Sequence, residues 1–203
     1  YRGIANFLMH RFTDARIDLK GSQLDNSDEG HFWRSMVEFS AGNEDADVMR
    51  GIRSTARIPD AYPRALRIPL ALHVIEATIR VGDADRAQEF SENLSAEDLF
   101  PKERSKWLYL SGLKDEVAGD FEAAVGNFEL AIAGVDRPSR IFASVARAEL
   151  LLEMERANIM TTINSLEKLR FAWRGGQFEF DLLRRLGDLY LSQGGFRQGL
   201  STL

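Results

Sequence analysis

The residues that most often carry chemistry are few and scattered in this 203-residue chain. Its three histidines, His10, His31 and His73, fall on separate helical segments, so no spacing among them describes a shared metal site. Asp25, Ser27, Glu29 and Gly30 begin like a calcium-binding loop, but the twelfth position is Met36, where a bidentate carboxylate is required. Ser165 and Lys168 form a serine-x-x-lysine pair of the kind that chance places on helices. There is no glycine-rich phosphate loop, no Gly-x-Ser-x-Gly and no His-Glu-x-x-His. The absence of cysteine removes disulfides, thiolate ligands and thiol nucleophiles together. The expectation is a protein with no catalytic residue, no metal and no cofactor.

Charge offers one candidate. Arg50, Arg53 and Arg57 recur at helical spacing, with Arg64 and Arg67 following, and guanidinium groups suit phosphate or an acidic partner. Glu44, Asp45, Asp47 and Asp60 lie close by, which favours a neutralised, solvated helix face instead. The net charge of -5 argues against a general attraction to nucleic acid or an anionic membrane. No apolar run reaches the roughly 18 residues of a membrane span, so no membrane insertion is expected. The chain opens on Tyr1 rather than Met, as expected of a piece of a longer protein, and its excess of arginine over lysine is that of a GC-rich bacterial genome. Compartment is left open.

The elements that would position any site are helices. Apolar residues recur at helical spacing throughout, broken at Gly, Pro and Asp/Asn clusters, and the pattern reads as consecutive helix pairs. The first pair runs through Ile4, Phe7 and Leu8, then Phe12 to Leu19. The second covers His31 to Ala41 and Asp45 to about Ala56, stopping before Pro59. The third starts at Pro63 and turns at Gly82, with Pro69 expected to kink or delay its first helix. The fourth starts at Pro101 and turns at Gly119. The fifth spans Ser139 to Met154 and Ala157 to Leu169, with a turn at Glu155-Arg156 that lacks glycine. The sixth runs from Phe178 to Ser192 and turns at Gly194-Gly195. The stretch Phe171 to Phe180, with Gly175-Gly176 at its centre, alternates aromatics as a two-residue β-hairpin would. An isolated hairpin is marginal, so a loop is expected, with Trp173 and the phenylalanines packed between pairs five and six. Gly42 to Gly82 is 40 residues, Gly82 to Gly119 is 37, and Gly119 to Gly194 is 75, or two such steps. A steady step of this size marks stacked helix-turn-helix repeats.

These repeats resemble the tetratricopeptide family. The sixth pair matches its pattern at Leu186, Gly187, Tyr190, Gly194 and Phe196, with Gly199 as the small residue. The fourth matches at Gly112, Gly119, Phe121, Ala124, Phe128 and Ala131, but has Asp115 where the family places tyrosine. The third keeps Gly82 and Ala87 and has Ala84 in place of the aromatic, while pairs one, two and five retain a small residue and apolar periodicity. The resemblance implies an all-α, right-handed superhelical solenoid of about six antiparallel hairpins, forming a single domain over 1–203. It also implies a protein-protein interaction scaffold that is not an enzyme. In the family geometry the first helix of each pair lines a concave groove, which would place Glu76, Arg80, Lys106, Tyr109, Asp181, Arg184 and Asp188 along it to hold a peptide or partner protein. The plainer reading of the same residues is a solvated surface. The Lys/Asn/Arg clamp by which some members hold a terminal carboxylate is not recognisable. The alternative role is a positioning or spacer segment of a longer enzyme or cell-envelope assembly protein. Self-association through uncapped ends at Phe7-Leu8 and Leu200-Leu203 is a further expectation.

Overall fold

The computed structural model describes residues 2–43, 45–55, 57, 61–172 and 176–202. Among them the chain is all-α, with twelve α-helices and no strand. The helices are α1 (Arg2–Leu8), α2 (Phe12–Asp18), α3 (Asp28–Ser40), α4 (Ala46–Ser54), α5 (Arg64–Arg80), α6 (Ala84–Glu92), α7 (Pro101–Ala118), α8 (Phe121–Ile132), α9 (Arg137–Glu153), α10 (Ile159–Leu169), α11 (Gly176–Ser192) and α12 (Phe196–Thr202). They form two compact units, Tyr1–Leu99 and Phe100–Leu203. Each odd-numbered helix packs on the even-numbered helix that follows it.

One turn, repeated six times, makes these pairs. After α7 the chain enters the left-handed region at Gly119 (φ 81°). The Gly119 N–H donates to the Glu116 carbonyl (3.0 Å), and the Asp120 N–H donates to the Asp115 carbonyl (2.8 Å). The same two bonds close the turns at residues 10, 42, 82, 155 and 194. This motif satisfies carbonyls that a helix end would leave orphaned. Four of the six turns use glycine, which meets no steric penalty there. His10 (φ 56°) and Glu155 (φ 57°) adopt the same conformation with a Cβ in place. Glu155→Gly is therefore expected to stabilise the second unit by about 0.5–1 kcal/mol. Thermal unfolding would show this as a raised midpoint, and a lowered one would mean that the Glu155 side chain makes a compensating contact.

The residue after two of the turns caps the next helix. Asp83 accepts from the Arg86 N–H (3.3 Å) and Asp120 from the Ala123 N–H (3.2 Å). Further along, Asp136 and Asn158 cap α9 and α10 in the same way.

In the first unit Phe7, Phe32, Trp33, Met36, Met49 and Ile52 share a core with Leu70 and Val74 of α5. Trp33 Nε1 donates to the Tyr62 hydroxyl (2.9 Å), which satisfies the indole on burial. Phe7 is part of this core, so it offers no apolar end surface; its neighbour Leu8 is exposed. Pro69 does not delay α5, which starts at Arg64 and carries the proline within it.

In the second unit Ala124, Phe128 and Ala131 are fully buried with Leu150 and Ala143. A Cβ on Gly112 would stand 2.4 Å from the Phe128 ring, so this crossing needs glycine. Where the family has tyrosine, Asp115 instead accepts from Asn127 Nδ2 (2.7 Å) and pairs with Lys114 (3.1 Å). Tyr190 donates to Glu167 across the α10–α11 boundary (3.0 Å), and burial together with that carboxylate raises its phenol pKa. Phe178 and Phe180 belong to α11, so no hairpin pairs across this stretch; Trp173 and Gly175 lie outside the described residues. Phe178 packs on Phe142, but Phe171 and Phe180 are exposed rather than packed between pairs. At the far end Leu200 is exposed, and Leu203 lies outside the described residues.

Candidate partner-binding face

Three successive first helices of the second unit carry an aromatic residue and, seven positions later, a charged one. The pairs are Tyr109 and Glu116 on α7, Phe142 and Glu149 on α9, and Phe178 and Arg185 on α11. Seven residues are two helical turns, so each pair lies on one face of its helix. The structure brings the three faces into register. Tyr109 and Phe142 have ring centroids 5.9 Å apart, and Phe142 and Phe178 are 4.6 Å apart, all tilted. Tyr109 also reaches back to the buried Phe128 (6.4 Å), which ties the aromatic row to the core. All three rings in the row are half-buried.

The charged row runs parallel to it. Arg185 Nε donates to Glu149 Oε1 (2.9 Å), joining α11 to α9. On the other side Glu116 faces Glu149 and Glu153 and, among the described residues, has no ion pair of its own. Burial, then Glu153 and Glu149, push the Glu116 carboxyl up to about 7. The face therefore combines a stiff apolar ridge with carboxylates that lack full neutralisation, which suits contact with another polypeptide.

Of the residues expected in a groove, Glu76 and Arg80 belong to the first unit and the other five to the second. Arg80 is committed locally: it donates to Glu76 (3.1 Å) and lies 5.2 Å over the Phe39 ring. Tyr109 is in the aromatic row, and Lys106 is half-buried one turn before it. Asp181, Arg184 and Asp188 are exposed on α11, opposite the buried Leu182, Leu186 and Leu189. Among the described residues Arg184 and Asp188 make no ion pair with one another or with other groups.

Arg50, Arg53 and Arg57 each meet a carboxylate, though only Asp47 is one of the acidic neighbours expected to supply it. Arg50 pairs with Asp47 (2.9 Å), Arg53 with Asp83 (3.8 Å) and Arg57 with Glu89 (3.1 Å). Two of these partners, the α6 cap Asp83 and Glu89 within α6, lie about thirty residues further on in sequence.

Phe142, Glu149 and Glu153, with Glu116, Phe178 and Arg185, are absent from the sequence-based set. The fifth pair is one of the three whose repeat signature is degenerate, so its first helix could not be aligned to those of pairs four and six. The aromatic-to-charge spacing of seven was the available signal.

The chain is thus an all-α protein of repeated helix-turn-helix pairs bearing a two-row face on its second unit. No family model matches the chain and no curated protein matches it. Among the described residues no group of three or more metal-ligating side chains is present, and no helix is long and apolar enough to cross a membrane.

Proposed function

We propose that this chain is a tetratricopeptide-like scaffold, its hairpins stacked as a right-handed solenoid, that binds a peptide or partner protein on the α7, α9 and α11 face and catalyses no reaction. The observation that carries the reading is the register of the two rows: three separate helices place rings and charges at matching heights. Core packing alone would bury the rings fully and would not align the charges. The six equivalent turns support the repeat architecture, because a worn array keeps its backbone period after its side chains diverge.

Half-exposed aromatics fixed by their neighbours lose little entropy on binding, which is the usual character of residues that dominate an interface. Tyr109→Ala combined with Phe142→Ala is expected to weaken partner binding by at least about tenfold. Photo-crosslinkers placed at Phe142 and at Glu122 test the site independently of affinity. Partner adducts should form from position 142. Adducts confined to α8 and α10 would refute this assignment.

A further inference from the structure

We propose that a cavity between α5 and α6 in the first unit binds a small aliphatic monocarboxylate, with Arg67 and Arg57 holding its charged end. The cavity has a volume of about 290 Å³; its lining is more polar than apolar, with the half-buried Ala71, Phe90 and Leu94 supplying its apolar part over the buried Ile68 and Val74. That size is at the low end for small-molecule sites, which suits a short chain.

The arginines decide the charge. Eight arginines of this unit lie within 4.0 Å of a carboxylate. Arg64 donates to the Asp98 backbone carbonyl. Arg67 lines the cavity and, among the described residues, has neither an ion pair nor a hydrogen bond. Arg67 is exposed and, like Arg11, has no carboxylate partner among the described residues, but Arg67 alone of the two stands beside a cavity with an apolar part, which matches a ligand with one anionic end. Arg57, held by Glu89 (3.1 Å), brings a second guanidinium to the same rim.

The other polar groups narrow the class. Ser95 accepts from the Glu97 N–H (3.4 Å) and keeps its own proton to donate. Asn93 Nδ2 is already given to the Glu89 carbonyl (3.1 Å). Asp98 at the rim adds negative charge, which penalises a dianion such as a phosphate monoester more than a monocarboxylate.

The test is a titration of the full chain with octanoate, followed through labelled methyl groups. Saturable shifts are expected at Ile68, Val74 and Leu94. Arg67→Gln should weaken binding about tenfold, while Arg50→Gln, on a residue that does not line the cavity, should leave it unchanged. Octanol and octyl phosphate should each bind more weakly than octanoate. No saturable shift at millimolar octanoate, shifts confined to other residues, or an Arg67→Gln protein that binds as tightly would overturn the proposal. Octyl phosphate binding as tightly as octanoate would overturn the choice of a monocarboxylate, and octanol doing so would overturn the role of the arginines. The cavity belongs to the first unit and the α7, α9 and α11 face to the second, and the proposal does not rest on the scaffold reading.

Discussion

Phe128→Ala lowers the stability of the second unit by about 3–5 kcal/mol, the usual cost of removing a fully buried phenylalanine. The same contact can be broken from the other side by Gly112→Ala. Alanine is the better helix former by about 1 kcal/mol, so propensity alone predicts a gain. Packing reverses the sign. A methyl group on residue 112 would lie 2.4 Å from Phe128 Cε1 and 2.5 Å from Cδ1. The ring is enclosed with Ala124, Ala131 and Leu150, and has no room to withdraw. Overpacking of this kind costs about 1–3 kcal/mol, and with the two nearest ring atoms both within 2.5 Å the upper half of that range applies, which leaves a net loss of up to about 2 kcal/mol. Gly126 is the internal control, because it is exposed on α8 and nothing lies within 4 Å of an added Cβ. Gly126→Ala should stabilise by up to about 1 kcal/mol. Urea unfolding midpoints for the two alanine variants should therefore move in opposite directions. A raised midpoint for Gly112→Ala would show that α7 and α8 do not cross there. Combining Gly112→Ala with Phe128→Leu should cost less than the sum of the two, since the smaller side chain makes space for the methyl.

This contact also shows what was legible in the sequence. Gly112, Ala124, Phe128 and Ala131 could be read because close helix crossings restrict residue size, and that restriction survives in residue identity. The turns at Gly42, Gly82, Gly119 and Gly194 could be read for a similar reason, since a left-handed residue favours glycine. The turn at Glu155 was placed by its flanking helices, although nothing in its residue type marks the left-handed conformation. Pairing between distant charges was less legible. Arg53 and Arg57 find their partners at Asp83 and Glu89, some thirty residues on, which no local spacing shows. The proposed binding face was read in part. Tyr109 was named, but Phe142 and Glu149 were not, because α9 keeps little of the repeat pattern beyond a small residue and apolar periodicity, too little to align it with α7. The register of the rows is a property of three helices together, and a single helix carries only the spacing.

Glu116→Gln tests that register through stability. Its carboxyl titrates near 7 in the folded protein, raised from the usual 4.5 by burial and by Glu153 and Glu149. A carboxyl raised on folding binds its proton more tightly in the native state. It therefore costs nothing below about pH 4.5, where both states are protonated. The penalty grows as pH rises from 4.5 to 7 and is complete above that range. The full shift corresponds to about 3 kcal/mol, and solvent screening at a half-buried position reduces it to about 1–2 kcal/mol. Glutamine keeps the shape and stays neutral at every pH. The variant should match the parent at pH 4 and exceed it by about 1–2 kcal/mol at pH 8, as measured by urea unfolding at each pH. Glu153→Gln should give a smaller gain in the same window, because it removes one of the two charges that act on Glu116. Equal stability of Glu116→Gln and parent at pH 8 would mean that α7 and α9 do not bring these carboxylates together, and the charged row would lose its first step. A gain at pH 8 with none at pH 4 would instead show a face that holds negative charge at a cost to its own fold. On the proposed scaffold role, a partner's cationic groups would relieve that cost on binding, so the same variant that stabilises the free protein should weaken partner binding.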